Sequence, residues 1–194
     1  MRTSEVEILI VPGWSGSGPD HWQSRWGRSL KTARRIEQQH WREPEREAWV
    51  GRIVTAVAEA KLPPVLVAHS LGVAAVVHAA AKMPRGLVAG ALLVAPADVD
   101  NAAQWPLTDG ETLPAAEAGF APLPMEPLPF PALLVASSND PYCSADRAAE
   151  LAGAWGATFV DAGEQGHINT ASGHGPWPDG LLRFGSFLQG LTRP

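Results

Sequence analysis

The chain has 194 residues, of which 45% are hydrophobic and 18% charged, and a formal net charge of −5. That is enough chain for a substantial core in one domain over 1–194, and the acidic balance gives no reason to expect nucleic acid as a partner. The lone cysteine, Cys143, excludes an intrachain disulfide; with no secretory leader and no apolar run of spanning length, a cytoplasmic protein without a membrane partner is expected.

Residues 6–11 (Val-Glu-Ile-Leu-Ile-Val) read as a buried strand, and the glycine-rich loop 12–19 follows. The loop lacks the Gly-Lys-Ser/Thr ending of a P-loop and the spacing of a dinucleotide fingerprint, so phosphate is not its expected ligand. Asp20 suits the N-cap of a helix with Trp22, Trp26 and Leu30 on one face. Residues 34–39 form a short polar strand at or near a sheet edge. Pro44 suits the first turn of a second helix, with Glu45 and Glu47 near its positive end and Trp49, Ile53, Val57 and Ala60 as its stripe.

Residues 65–68 (Val-Leu-Val-Ala) run straight into His69-Ser70-Leu71-Gly72 and a small-residue helix reaching about Met83. This is the strand–turn–helix setting of a nucleophile elbow, G-x-S-x-G, in which only small residues fit two positions either side of the serine. Here those positions hold Ala68 and Gly72; alanine departs from glycine but meets the steric demand. A serine after a strand is also a common helix N-cap, so the rest of the chain has to decide.

A buried strand over 87–95 ends at Pro96-Ala97-Asp98, and the proline-rich stretch 101–131 follows. There, Phe120, Leu123, Met125 and Leu128 either cover one side of a pocket or pack on the end of the sheet. A strand over 132–137 leads to Ser138-Asn139-Asp140-Pro141, Ser144 caps a helix through Trp155, and the last strand covers 158–161. The turn-rich loop 163–169 contains His167. Asp179 opens a final helix with Leu182, Phe184, Phe187, Leu188 and Leu191 as inner residues. Strands alternating with helices imply a mostly parallel sheet of about six strands covered on both faces, with ligands beyond the strands' carboxyl ends.

Ser70, Asp140 and His167 each follow a strand, in the chain order of α/β-hydrolases. A serine hydroxyl needs an imidazole to take its proton, and the imidazole needs a carboxylate to fix its tautomer and stabilise its cation. The oxyanion needs two donors: the backbone N–H of Leu71, and a second from the loop after the first strand, where Trp14 is the candidate. His167 competes with His174, and Asp140 with Asp98, which would otherwise order its loop. The side chain of His69 should point away from the active face, and His21, His40 and His78 read as structural or surface residues. No His/Cys/Asp/Glu cluster has metal-ligand spacing, so no metal or cofactor is expected, and Cys143 reads as packing.

The chain also resembles the small serine-hydrolase family typified by retinoblastoma-binding protein 9, in its bacterial branch. The segments that carry the resemblance are Val11-Pro12-Gly13-Trp14, Gly18-Pro19-Asp20-His21-Trp22-Gln23, Ala68-His69-Ser70-Leu71-Gly72, Val94-Ala95-Pro96-Ala97-Asp98, Ser137-Ser138-Asn139-Asp140-Pro141, Gly166-His167-Ile168-Asn169 and Gly175-Pro176-Trp177-Pro178. The resemblance implies a three-layer α/β-hydrolase fold without the first two strands or a large cap, and a triad falling on Ser70, Asp140 and His167. The resulting expectation is an esterase-like serine hydrolase that cleaves a small-molecule ester, thioester or amide through an acyl-enzyme on Ser70. Two alternatives remain at this point: a binding protein that keeps the fold, although no protein partner is indicated, and an acyltransferase of the same fold.

Overall fold

The computed structural model describes residues 1–106 and 118–192. Its strands are β1 (Glu7–Val11), β2 (Ala33–Arg35), β3 (Pro64–Ser70), β4 (Gly90–Pro96), β5 (Ala132–Ala136) and β6 (Thr158–Asp161). The helices are α1 (Trp22–Ser29), α2 (Arg46–Ala58), α3 (Leu71–Ala80), α4 (Ala145–Trp155) and α5 (Pro178–Gly190). The strands form one sheet in the order β2-β1-β3-β4-β5-β6, and every pairing is parallel. Sequence reasoning allowed a mostly parallel sheet; the observed sheet has no antiparallel pair among the described residues. The short strand β2 lies at one edge, as its polar sequence suggested.

Alternation along the strands divides the core in two. Leu9, Val11, Leu66, Ala68, Leu93 and Leu134 face α2, α3 and α4. Ile8, Ile10, Val65, Val67, Leu92 and Val135 face α1 and α5, where Trp22, Trp26, Phe184 and Leu188 meet them. Both faces of the central strands are therefore dry, which is why those strands read as continuous apolar runs. The result is a three-layer α/β-hydrolase fold, with no cap domain among the described residues.

Several local expectations change. Asp20 does not cap α1; its carboxylate is taken by Arg25 at 3.0 Å, and His21 caps instead, its Nδ1 accepting the N–H of Gln23. Pro44 stands outside α2, whose N-cap is Glu45. The fourth strand starts at Gly90 rather than Leu87, which follows a turn at Gly86 (φ 78°) and is 37% exposed. Leu182 is 72% exposed, so the inner stripe of α5 narrows to Phe184, Leu188 and the flanking Leu191, with Phe187 half-buried against the same core. Phe120 and Leu123 are buried in the larger core rather than lining the cleft, and Met125 is exposed. The stretch 101–131 includes 107–117, which lie outside the described residues. No helix among the described residues is long and apolar enough to cross a membrane.

Candidate active site

The serine ends β3. Ser70 holds φ 57°, ψ −127°, a conformation that L-residues rarely adopt, and the β3–β4 register slips between His69 and Ser70. Such a backbone costs on the order of 1–3 kcal/mol and persists only where its surroundings enforce it. Two glycines do so by letting chain segments touch. A Cβ on Gly72 would collide with the carbonyl oxygen of Val11, the last residue of β1, and come within 2.7 Å of that of Pro12 just after it. A Cβ on Gly13 would lie 2.8 Å from the Cβ of Ser70. The elbow and the loop after β1 are thus packed backbone against backbone, with Ala68 fully buried below.

The structure brings His167 between the other two candidates. The Ser70 hydroxyl donates to His167 Nε2 at 2.8 Å. On the other side, His167 Nδ1–H donates to Asp140, with both carboxylate oxygens at 2.9 Å. A carboxylate only accepts, which puts the ring proton on Nδ1 and leaves Nε2 as the acceptor of the serine proton. Asp140 is held by the N–H of Tyr142, which donates to its Oδ1 at 2.9 Å.

The loop carrying His167 lies outside helix and strand, so side chains pin it. The N–H of Gly166 donates to Asn139 Oδ1 (2.6 Å), and that of Gln165 to Ser137 Oγ (2.9 Å). Trp22 Nε1–H reaches across from α1 to the carbonyl of Ile168 at 2.9 Å. His69 Nε2–H donates to the backbone carbonyl of His167 at 2.8 Å.

That last contact revises the expectation for His69. Alternation does keep its ring on the α1/α5 face with Val65 and Val67, but the histidine loop descends over that face. The His69 ring consequently lies 4.8 Å from that of His167 and lines the cleft. Burial, then the neighbouring His167 and His21, hold its pKa well below the ordinary imidazole value, so it stays neutral. His21, expected to be structural or at the surface, also lines the cleft; burial first and then His167 lower its pKa to about 4. His174 bonds Gln165 and Ser172 instead of the serine, and His78 bonds the carbonyl of Phe120. Nothing local in the sequence signalled the roles of His69, Ser137 and Asn139; each adjoins or nearly adjoins a triad candidate, which is the only available hint.

Asp98 is occupied elsewhere. It accepts from Asn101 Nδ2 at 2.7 Å and pairs with Arg147 at 3.3 Å. Cys143 is buried, and burial followed by Asp98 and Asp140 pushes its thiol up to about 12, which leaves it without useful thiolate. Among the described residues, no group of three His, Cys, Asp or Glu side chains could hold a metal ion.

The cleft over Ser70 has a volume of about 260 Å³. Trp14, Leu71, Ala97, Trp105 and Tyr142 give it an apolar wall; Ser17, His21, Asn169 and Thr170 give it a polar one.

The sequence matches the family model described as "Serine hydrolase" over residues 8–186. The chain belongs to this serine hydrolase family, the one typified by retinoblastoma-binding protein 9. A YdeN-like hydrolase from Pectobacterium atrosepticum is 34% identical, with 95% of this chain and 91% of that one covered and a TM-score of 0.80. The ydeN gene product of Bacillus subtilis shares the fold at 18% identity and a TM-score of 0.74, covering 94% of this chain and 98% of that one. Est1E of Butyrivibrio proteoclasticus, whose structure holds ferulic acid, shares the fold at 12% identity and a TM-score of 0.66, covering 92% and 88%. No curated protein matches the sequence. Ser70, Asp140 and His167 all fall within the span matched by the serine hydrolase family model.

Proposed function

We propose that this serine hydrolase cleaves a small ester, thioester or amide through an acyl-enzyme on Ser70, with His167 as general base and acid and Asp140 as the group that orients it. The observation that carries the reading is the continuous pair of bonds from Ser70 through His167 to Asp140, at 2.8 and 2.9 Å. As the Ser70 oxygen bonds to the acyl carbon, its proton passes to His167 Nε2, and Asp140 stabilises the imidazolium. Negative charge then collects on the former carbonyl oxygen. Leu71 opens α3, where first-turn amides lack intrahelical acceptors, and its N–H is the first oxyanion donor. Trp14 supplies the second from the loop held against Ser70 at Gly13. Collapse expels the leaving group, which takes the proton from His167; water repeats the sequence in reverse and frees the acid.

The size of the cleft supports a small substrate. Pockets for drug-sized ligands usually occupy roughly 300–1,000 Å³, and this one falls below that range.

A fluorophosphonate probe and a panel of short esters test the proposal. Wild-type protein should label at one serine and hydrolyse esters. Ser70→Ala should fold, fail to label and lose several orders of magnitude in kcat. Near-native hydrolysis by Ser70→Ala would sink it.

A further inference from the structure

The loop that carries Trp14 makes a tight turn beside the serine. The Gly16 N–H donates to the Gly13 carbonyl at 3.0 Å, with Trp14 and Ser15 between them. Ser15 has φ 63° and Gly16 φ 68°, both left-handed. At the third position of such a turn this conformation favours glycine or asparagine, so a serine there is held by its surroundings. The Trp14 N–H donates to no protein group among the described residues, which is what an oxyanion donor requires.

What holds the turn comes from the edge of the sheet. Arg35, the last residue of β2, donates from Nη1 to the Ser17 carbonyl at 2.8 Å, and its guanidinium carbon lies 4.5 Å from the centre of the Trp41 ring. The Trp41 carbonyl accepts the Ser15 N–H at 2.8 Å, and the Arg42 carbonyl accepts Trp14 Nε1–H at 3.0 Å. Gly16 completes the fit: a Cβ there would stand 2.7 Å from Arg35 Nη2 and 3.2 Å from the Trp41 ring. Trp41 in turn meets Trp49 of α2 edge-on at 5.6 Å. Stacked on an indole and bonded to a carbonyl, the guanidinium is a planar spacer between Trp41 and the turn.

We propose that Arg35 is a positioning residue for the oxyanion hole: stacked on Trp41 and bonded to the Ser17 carbonyl, it keeps the turn in the shape that presents the Trp14 N–H beside Ser70. Neither Arg35 nor Trp41 is among the described residues that line the cleft, so their effect passes through the loop. A donor fixed before reaction stabilises a developing oxyanion without reorganising, and a donor free to drift loses that advantage. The substrate's carbonyl oxygen carries no full charge until the serine attacks. Loosening the turn therefore acts on the transition state and spares substrate binding. Lysine reaches one carbonyl but has no planar fork with which to stack and bond together. The inference rests on acyl transfer at Ser70 and on Trp14 as the second oxyanion donor.

The test compares wild type, Arg35→Met and Arg35→Lys on a short alkyl ester and on a short trifluoromethyl ketone. In the ketone complex the Ser70 oxygen bonds to the carbonyl carbon, the carbonyl π pair moves onto its oxygen, and the serine proton passes to His167 Nε2. Its inhibition constant therefore reads the oxyanion hole without a leaving group. Arg35→Met should lower kcat by about tenfold or more, short of the roughly 10²–10³ that loss of a whole donor costs. Its KM should stay within about twofold of wild type, and the Ki of the ketone should rise by the factor that kcat falls. Arg35→Lys should lose a smaller factor in both. A merely structural role would reduce the folded fraction, cutting kcat and leaving Ki where it was. That pattern overturns the proposal, as does an unchanged kcat in Arg35→Met. Should Arg35→Met fail to fold, Arg35→Lys decides: a parallel change of about threefold or more in kcat and Ki supports the proposal, and an unchanged Ki overturns it. A wild type that neither labels with fluorophosphonate nor binds the ketone refutes the Ser70 reading. A wild type that does both, beside variants with unchanged Ki, refutes only the role of Arg35.

Discussion

Asp140→Asn against Asp98→Asn separates two aspartates that both follow buried strands. Asp140 accepts the Nδ1–H of His167 and also the N–H of Tyr142. In the asparagine variant, the tyrosine amide still calls for an acceptor, so the amide oxygen should stay there and turn the NH₂ toward the imidazole. The ring must then carry its proton on Nε2, where it cannot receive one from Ser70. By analogy with the serine-protease triad, this wrong tautomer costs about 10⁴ in kcat, or ~5.4 kcal/mol at 1.36 kcal/mol per tenfold. Asp98 touches no triad member; its partners are Asn101 and Arg147, and Arg147 retains Asp100 at 2.6 Å and Glu150 at 2.7 Å without it. Asp98→Asn should therefore lose no more than about tenfold. The assay is kcat on a p-nitrophenyl ester and on an alkyl ester, after circular dichroism shows both variants folded. The nitrophenolate leaves without needing a proton, so that substrate isolates the base step, whereas the alkyl ester adds the acid step and should lose at least as much. A large loss in the Asp98 variant with a small one in the Asp140 variant would refute the acid assignment.

Three further outcomes are expected. Gly72→Ala should destabilise the fold by roughly 1–3 kcal/mol or more, because the added carbon meets the backbone carbonyls of Val11 and Pro12; an unchanged denaturation midpoint would contradict that packing. Acyl-chain profiling should show short chains preferred over long lipid chains, given a cleft of about 260 Å³; preference for long-chain triglycerides with interfacial activation would contradict it. Stability should fall as pH drops from 6.5 toward about 4, since unfolded His21 takes a proton below 6.5 and the folded ring does not until about 4. That protonation costs on the order of 3 kcal/mol by the lower limit, and His69 acts in the same direction. Urea midpoints at pH 7.5 and pH 5 check it, and equal values would be the contrary result.

Much of this architecture was legible because a parallel sheet writes itself as continuous apolar runs. The strand over Thr158–Asp161 and the Ser144 cap, which accepts from Arg147 N–H, fell where expected. The triad candidates were visible because each stands at a strand's carboxyl end, a position that topology alone makes special. What escaped was decided between segments distant in sequence. Asp20 has the right chemistry for a cap, yet Arg25 competes for its carboxylate and the neighbouring imidazole takes the capping role. Leu182 fits a helical stripe by spacing, but α5 meets the sheet along too narrow a line to cover it. The place of His69 beneath His167 depends on how a loop ninety-odd residues later folds back, which no local pattern encodes.

The manner in which that loop is held bears on the chemistry. Gly163, Gly166 and Ile168 all have positive φ (78°, 56° and 45°), and for isoleucine this is a strained conformation. The strain is opposed by bonds from three directions: Ser137 and Asn139 beyond β5, His69 at the end of β3, and Trp22 on α1. Each joins a side chain to a backbone group of the loop, so the His167 ring is positioned by its main chain before Asp140 or Ser70 engages it. In the mechanism proposed above, such positioning would remove a reorganisation step from proton transfer, the condition for an imidazole to serve both as base and as acid within one turnover. It also explains the neutral histidines packed around it. A second cation near His167 would oppose the imidazolium that the proposed mechanism calls for, and burial keeps His69 and His21 uncharged. The buried core around Trp22 is thus tied to the loop that carries His167, and on the proposed mechanism removing the Trp22 indole should lower kcat through the Ile168 carbonyl as well as stability through the core.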